Sequence, residues 1–208
     1  MLEPGRFITL EGGEGAGKST QARRLSAALA ASGRPVLRTR EPGGTPGAER
    51  IRNLLLGHGP WDPVAEAMLH FAARREHVAK TIRPFLAAGG WVVCDRFADS
   101  TLAYQGAQGL DRSVWARLLD VALGDFAPDV TLLLDMAPEA GMARAAARSG
   151  ADRYERMSID FHRRVRDGFL AIAATEPERC AVVDASAGAE DVFGAIAQVL
   201  RGRFGVLL

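Results

Sequence analysis

The chain has 208 residues, 48% of them hydrophobic, and a formal net charge of +1. This length and apolar content suffice for one sizeable core, so we expect a single domain over residues 1–208. The small net charge supplies no broad field for nucleic acid or an anionic membrane, so attraction to phosphate must come from arginines placed at a site. Two cysteines, four scattered histidines and no apolar run near the ~20 residues that span a bilayer favour a reduced, cytoplasmic protein without a zinc site.

The first motif along the chain is a glycine-rich loop at residues 12–19, which fits the phosphate-binding pattern G-x-x-x-x-G-K-[ST]. The apolar stretch 7–10 predicts a buried strand before it, and residues 19–31 predict a helix after it. Glycines let successive backbone N–H groups point inward, and the helix N-terminus adds partial positive charge. The loop therefore predicts binding of a nucleoside triphosphate, with Lys18 at the β- and γ-phosphates and Ser19 as a Mg²⁺ ligand.

Apolar runs bounded by turn residues continue along the chain and predict further strands at residues 35–39, 91–94, 130–134 and 181–183. Helical patterns lie between them, at residues 62–90 with Asp62 as N-cap and a kink at Pro84, and at 111–123, 138–148, 158–175 and 190–200. Continuous apolar strands that alternate with helices are typical of a parallel sheet covered on both faces. The predicted class is therefore α/β, with a five-stranded parallel sheet.

Charged residues directly follow two of the predicted strands. Asp95 and Arg96 come after residues 91–94, and Arg40 comes after residues 35–39. Ligands of open parallel sheets bind beyond the carboxyl ends of the strands. We therefore expect Asp95 beside the phosphate loop, where it could hold Mg²⁺ directly or through water, and the two arginines suggest a second anion near the nucleotide.

Several sequence motifs occur in the same order as in bacterial thymidylate kinases, and the chain resembles that family over most of its length. They are EGAGK at 14–18, TREPGG at 39–44, DRF at 95–97, AYQG at 103–106 and DRYE at 152–155. The resemblance implies a P-loop nucleoside-monophosphate kinase fold that transfers the γ-phosphoryl group of ATP to dTMP, giving dTDP and ADP, with Mg²⁺ as cofactor. It also implies a homodimer, and a lid at about residues 144–156 that closes over ATP.

The resemblance assigns site residues motif by motif. The implied catalytic residues are Lys18, Arg148, Arg96 and Glu14. Those expected to bind ATP are Gly12, Gly13, Gly15, Ala16, Gly17, Lys18, Ser19, Thr20, Arg144, Arg153, Asp184 and Ala185. Those expected to bind dTMP are Glu14, Arg40, Glu41, Pro42, Arg52, His70, Phe71, Arg74, Arg96, Ser100, Thr101, Tyr104 and Gln105. The predicted metal ligands are Ser19, Asp95 and Glu11.

Two positions depart from the family pattern. His70 stands where the family has a phenylalanine stacked on the base, so either its imidazole or Phe71 takes that role. Phe97 stands where the family often has a tyrosine, so a hydroxyl contact is missing there. The phosphate loop itself contains no arginine, so charge stabilisation must come from the lid arginines, among which Arg148 is the preferred catalytic candidate.

Other protein classes with a phosphate loop fit less well. A regulatory GTPase needs an N-K-x-D segment to read guanine, and the chain contains none. The runner-up is a kinase for another nucleoside monophosphate. Arg74 and Gln105 favour thymine because they supply a donor for its carbonyl and an acceptor for its ring N–H, and in the family a tyrosine at position 104 excludes a ribose 2′-OH.

Overall fold

A computed structural model of the protein describes residues 5–57, 59–147 and 153–208, so Arg148 lies outside the described residues. Five strands form one sheet with the order β2-β3-β1-β4-β5. The strands are β1 Phe7–Glu11, β2 Val36–Arg40, β3 Trp91–Asp95, β4 Val130–Asp135 and β5 Cys180–Asp184. All four strand pairings are parallel, which confirms the predicted α/β class.

The described residues contain nine α-helices, which are α1 Lys18–Ala31, α2 Pro46–Gly57, α3 Pro63–His77, α4 Arg83–Ala87, α5 Ala98–Gly106, α6 Arg112–Leu123, α7 Pro138–Ala146, α8 Ile159–Thr175 and α9 Ala189–Phe204. Two begin at caps that the sequence predicts. Asp62 accepts hydrogen bonds from the first-turn N–H groups of α3, and Ser158 accepts one from the first turn of α8. No helix in these ranges is both long and apolar enough to cross a membrane.

Two of the helices, α2 and α5, are not among the helices predicted from the sequence. α2 begins after Thr45, whose Oγ1 accepts a hydrogen bond from Ala48 N at 3.1 Å. α5 has no side-chain cap from its own segment. The carboxylate of Glu11, at the end of β1, instead accepts hydrogen bonds from Phe97 N at 2.7 Å and Ser100 N at 3.2 Å. A residue distant in sequence therefore caps this helix.

The helix predicted over residues 62–90 is divided. A π-helical turn, Val78–Ile82, separates α3 from α4 and lies directly before Arg83 and Pro84. Proline lacks the N–H group that an uninterrupted α-helix needs at that point, and a single wide turn changes the hydrogen-bond spacing before it. The predicted disturbance at Pro84 is therefore a π turn within an otherwise helical segment.

The two faces of the sheet pack against different helices. Ile8 and Leu10 of β1 lie in an apolar cluster with residues of α1 and α9. Phe7 of the same strand lies in a cluster on the opposite face with residues of α3 and α6, and a third cluster joins α5 and α8 to that face. This alternation follows from the two-residue period of a strand. Because all strands run the same way, the loops after β1, β2 and β3 meet at one edge.

A buried ion pair ties α5 to the sheet. Arg179, which directly precedes β5, donates to Asp99 Oδ2 at 2.7 Å and to Asp99 Oδ1 at 3.0 Å. Its Nη1 also donates to Thr131 Oγ1 of β4 at 2.6 Å. The Arg179 and Asp99 side chains are only 16% and 6% exposed. The first turn of α5, which carries several predicted site residues, is thus anchored in the protein interior.

Candidate active site

The glycine-rich loop connects β1 to α1, as its motif requires. Lys18 Nζ donates to Gly12 O at 3.0 Å and to Gly13 O at 2.6 Å, so its ammonium lies within the curve of the loop. The lysine is buried, and burial, followed by the nearby guanidinium of Arg96, lowers its pKa to about 8. A buried cation surrounded by loop backbone is suited to phosphate oxygens, which can replace the two carbonyl acceptors.

Helix α7 touches the phosphate loop through two facing glycines. Gly15 has a positive φ of 71°, and a Cβ there would overlap the backbone of Gly141 in α7. In return, a Cβ at Gly141 would overlap the carbonyl oxygen of Glu14. Only glycine allows backbones to approach this closely, so the conformation of the loop depends on the position of α7.

Arg96 and Glu14 form an ion pair at the mouth of the loop. Arg96 has a φ of 70°, an uncommon conformation for a residue other than glycine and one often found at functional sites. Its Nη2 donates to Glu14 Oε1 at 2.6 Å and to Tyr104 Oη at 3.0 Å, and Tyr104 in turn donates to Glu14 at 2.7 Å. Burial alone would raise the pKa of Glu14, but Arg96 and Lys18 outweigh it and lower the pKa to about 2.

Two of the predicted metal ligands lie together. Ser19 Oγ donates to Asp95 Oδ2 at 2.5 Å, which joins the start of α1 to the end of β3. A hydroxyl and a carboxylate are hard oxygen ligands that fit Mg²⁺, which takes few protein ligands and completes its shell with water and phosphate. The described residues contain no cluster of three or more His, Cys, Asp or Glu side chains that could hold a metal.

The third predicted metal ligand, Glu11, is hydrogen-bonded to the start of α5. Besides its two bonds to backbone N–H groups of α5, its Oε2 accepts from Ser100 Oγ at 2.5 Å, so protein groups occupy both oxygens. Burial, followed by the nearby carboxylate of Asp99, raises the pKa of Glu11 to about 7. The structure gives Glu11 a role in holding α5, and its metal role stays a prediction.

Arg74 belongs to a polar chain in which Arg74, Glu41 and His77 are buried. Its Nε donates to Glu41 Oε2 at 2.7 Å, and Glu41 Oε1 is 3.0 Å from His77 Nδ1. His77 Nε2 is in turn 2.8 Å from Thr39 Oγ1. Arg74 also donates through Nη2 to Thr101 Oγ1 at 3.1 Å. Glu41, predicted to touch substrate, thus directs its carboxylate to Arg74 and holds that guanidinium in place.

Two buried atoms of residues in the cavity wall have no hydrogen-bond partner in the described structure, Arg74 Nη1 and Gln105 Oε1. One is a donor and the other an acceptor. Buried polar atoms are almost always paired, so an unpaired donor and acceptor in one cavity point to a ligand that presents the complementary pair.

The structure distinguishes the two residues considered for stacking on the base. His70 lines the cavity, whereas Phe71 lies in the apolar cluster beneath the sheet and is 3% exposed. Phe71 also packs under the guanidinium of Arg74, 4.8 Å from its ring centroid. Phe71 thus faces the core at this helical position, and its contact with the substrate stays a prediction. Burial, followed by Arg74, lowers the pKa of His70 to about 3, so its ring is neutral.

These groups surround one cavity of about 340 Å³, a usual size for a small-molecule site. The predicted residues that line it are Glu14, Gly15, Gly17, Lys18, Ser19, Thr20, Arg40, Glu41, Pro42, Arg52, His70, Arg74, Asp95, Arg96, Ser100, Thr101, Tyr104 and Gln105. Gly12, Gly13 and Ala16 line a smaller cavity behind the loop. Leu56, Phe97, Tyr154 and Glu155 also line the cavity, and none of them is among the predicted site residues. The last two belong to the DRYE motif, which the family resemblance assigns to the lid.

The predicted ATP contacts on the lid side divide into two groups. Arg144 Nη1 donates to Ala185 O at 2.9 Å, so α7 meets the loop after β5 outside the main cavity, and the assignment of both residues to ATP stays a prediction. Arg153 instead pairs with Glu66 of α3 and lies over the ring of Tyr154. A fully buried carboxylate therefore holds its guanidinium in this structure, and its assignment to ATP stays a prediction.

The fold and the cavity together define a P-loop kinase of the nucleoside-monophosphate class. A sequence model of the family described as thymidylate kinase matches residues 10–196. The chain is 53% identical over 208 residues to the thymidylate kinase of Caulobacter vibrioides, covering 99% of this chain and 100% of that protein. It is 52% identical to the thymidylate kinase of Rhodopseudomonas palustris strain TIE-1, covering 96% and 90% respectively. The crystal structure of thymidylate kinase from Ehrlichia chaffeensis matches with a TM-score of 0.79 at 37% identity, over 95% of this chain and 100% of that one. The chain belongs to the thymidylate kinase family.

Proposed function

We propose that the protein transfers the γ-phosphoryl group of ATP to dTMP, giving dTDP and ADP. The observation that carries this proposal is the unpaired pair Arg74 Nη1 and Gln105 Oε1 in the wall of the cavity beside the phosphate loop. Thymine offers a carbonyl oxygen to the donor and a ring N–H to the acceptor, whereas cytosine reverses that pattern. Adjacent Arg96, Arg40 and Arg52 supply positive charge for the monophosphate.

Phosphoryl transfer depends mainly on positioning and on neutralising charge, which suits this set of residues. Lys18 would exchange its two carbonyl acceptors for β- and γ-phosphate oxygens of ATP. Ser19 and Asp95 would hold Mg²⁺, which would neutralise phosphate charge when bound. Glu14 keeps the guanidinium of Arg96 oriented beside the loop. From the family resemblance, Arg148 would add the cation that stabilises the transferring group.

The sugar is selected by Tyr104 in this proposal. Its side chain is 5% exposed, lines the cavity, and is held by bonds to Glu14 and Arg96. A 2′-OH pressed against this ring would lose water without gaining a partner, which costs about 1–3 kcal/mol, or roughly tenfold to a hundredfold in kcat/KM. Deoxynucleotides should therefore be preferred.

A coupled ADP-release assay with ATP and each of dTMP, dUMP, dCMP and UMP tests the proposal. We expect dTMP to be the best substrate and dUMP a poor but measurable one, since the missing methyl group costs only about 1 kcal/mol or somewhat more. dCMP should be worse than dUMP, and UMP worse than dTMP. Tyr104→Ala should improve UMP relative to dTMP, whereas Tyr104→Phe, which keeps the ring, should not. Equal use of dTMP and UMP by the wild type would refute the assignment.

We further propose a homodimer formed through α2, α3 and α6. Arg75 of α3 donates to Ala122 O of α6 at 3.1 Å, and α2 packs against α3. These helices expose apolar side chains, among them Leu54 at 39%, Met68 at 56% and Val121 at 84%. Grouped exposed apolar residues are typical of protein interfaces. Sedimentation equilibrium should give twice the chain mass for the wild type and the single mass for Met68→Glu/Val121→Glu, and a monomeric wild type would refute the dimer.

The cytoplasm is the compartment that fits this activity. ATP and a nucleoside monophosphate are small-molecule substrates of intracellular metabolism, so no nucleic-acid or membrane partner is required. Cys94 and Cys180 are both buried and unbridged, as expected for thiols kept in a reducing compartment. Fractionation of the native cells, followed by the dTMP-dependent assay, tests this location.

A further inference from the structure

The turn before α8 contributes an aromatic side chain to the cavity that the proposed function does not use. Tyr154 is 8% exposed and lines the cavity together with Gln105. Its ring packs edge-on against Tyr104, with the ring centroids 5.2 Å apart. Its hydroxyl lies between the side chains of Glu66 and Gln105, 2.7 Å from Glu66 Oε1 and 3.1 Å from Gln105 Nε2. Tyr154 thus connects a buried carboxylate to the amide of the cavity wall.

The Tyr154 hydroxyl donates its proton to Glu66. Glu66 is fully buried, and its carboxylate pairs with Arg153 and accepts from Gln108 Nε2 at 3.3 Å. A carboxylate that faces a guanidinium is an acceptor only, so Tyr154 must donate to it. The phenol oxygen then has only lone pairs left for Gln105.

This fixes the orientation of the Gln105 amide. Only the NH₂ group of an amide can use a lone pair of Tyr154, so Nε2 turns toward the phenol and Oε1 turns away from it. Gln105 is 1% exposed, and its Oε1 has no partner in the described structure. His70 Nε2 approaches the same hydroxyl at 3.4 Å, too far to compete with the 2.7 Å bond to Glu66. The amide therefore offers a ligand an acceptor and not a donor.

We propose that Tyr154 is a positioning residue that sets base specificity by holding the Gln105 amide with its oxygen available to the nucleobase. The inference rests on the proposed function, and it assigns the base specificity of the enzyme to the hydrogen-bonded series Glu66–Tyr154–Gln105. Thymine and uracil carry a hydrogen on the ring nitrogen that the acceptor requires. Cytosine carries a lone pair there, so two acceptors would face each other in a buried site.

Tyr154→Phe tests this step because it keeps the ring and removes the hydroxyl. The Gln105 amide can then rotate, so kcat/KM should fall for dTMP and rise for dCMP. We expect the ratio of the two values to narrow by about 10-fold or more, the effect of one misdirected buried hydrogen bond. The KM for ATP should stay within about twofold, since the removed hydroxyl bonds to Glu66 and Gln105 at the base end of the cavity. Loss of packing alone would lower kcat/KM equally for dTMP and dCMP and would leave the ratio of the two values unchanged.

Glu66→Gln provides an independent test. The new amide can donate to Tyr154, which frees the phenol proton to turn toward Gln105 and reverses the amide. The ratio of kcat/KM for dTMP to kcat/KM for dCMP should then fall at least as far as in Tyr154→Phe. Gln108→Ala is the matched control, because it removes the other neutral donor to Glu66 without changing the direction of the Tyr154 proton. Its ratio should equal that of the wild type.

The outcomes separate the two proposals. If the wild type does not phosphorylate dTMP, the proposed function fails, and this inference fails with it. If the wild type prefers dTMP but Tyr154→Phe and Glu66→Gln keep the same dTMP to dCMP ratio, only the inference is overturned. If Tyr154→Phe does not fold, the ratio in Glu66→Gln decides the question.

Discussion

Gly141→Ala should impair the enzyme even though alanine is the better helix former. In the interior of a helix this change normally stabilises by about 0.5–1 kcal/mol. At Gly141 the added Cβ would overlap the carbonyl oxygen of Glu14, so α7 and the phosphate loop must separate by about 1 Å to reach ordinary contact. Overpacking of this kind costs about 1–3 kcal/mol, which leaves a net loss of about 1 kcal/mol, or roughly 2–4 °C in Tm.

The fall in kcat should be larger than the small loss of folding stability would cause by itself. A displacement of about 1 Å in a positioned catalytic group can cost on the order of 10²-fold, so kcat should fall far more than the Tm shift suggests. Gly194→Ala is the matched control, because Gly194 lies exposed within α9 and an added Cβ there meets no atom within 4 Å. It should raise Tm slightly and leave kcat unchanged. Thermal unfolding by circular dichroism and the coupled assay measure both quantities. A Gly141→Ala protein as stable and active as Gly194→Ala would show that α7 does not constrain the loop.

Three further predictions concern charged residues. Lys18→Ala should abolish phosphoryl transfer in a protein that folds normally by circular dichroism, and substantial turnover in the variant would contradict this role of Lys18. In the wild type, kcat/KM for ATP should fall above about pH 8 as Lys18 loses its proton. Because the folded-state pKa of Glu11 is raised from 4.5 to about 7, the folded state keeps a proton that the unfolded state loses. The free energy of unfolding should therefore fall as pH rises from 4.5 to about 7. Urea titrations at several pH values should show a weaker dependence of this free energy on pH in Glu11→Gln than in the wild type. Arg179→Met should lower the free energy of unfolding by about 3–5 kcal/mol by leaving Asp99 buried without its partner, and Asp99→Asn in the same chain should restore part of that loss.

Most of the sheet could be predicted from the sequence because its signals are local. Each strand is a continuous apolar run bounded by turn residues, and all five lie within one residue of the predicted bounds. The start of α3 was predictable for the same reason, since Asp62 caps the helix within its own segment. Thr45 before α2 is a comparable local cap, although α2 is not among the predicted helices. α5 differs, because Glu11 caps it from a position 86 residues from Phe97.

The sequence by itself determined which chemical groups are available at the site: a loop with a phosphate-binding motif, Ser19 and Asp95 as predicted metal ligands, and arginines at two strand ends. These are short motifs whose partners are fixed by a strand or a turn. Only the tertiary structure decided which of His70 and Phe71 faces the cavity, that Arg153 pairs with Glu66, and that Tyr154 joins the cavity wall. Each of these arrangements depends on which buried group from another helix or strand contacts the side chain. The free energy of burying a charge or hydroxyl with or without that partner differs by kilocalories, and no spacing within one segment encodes it.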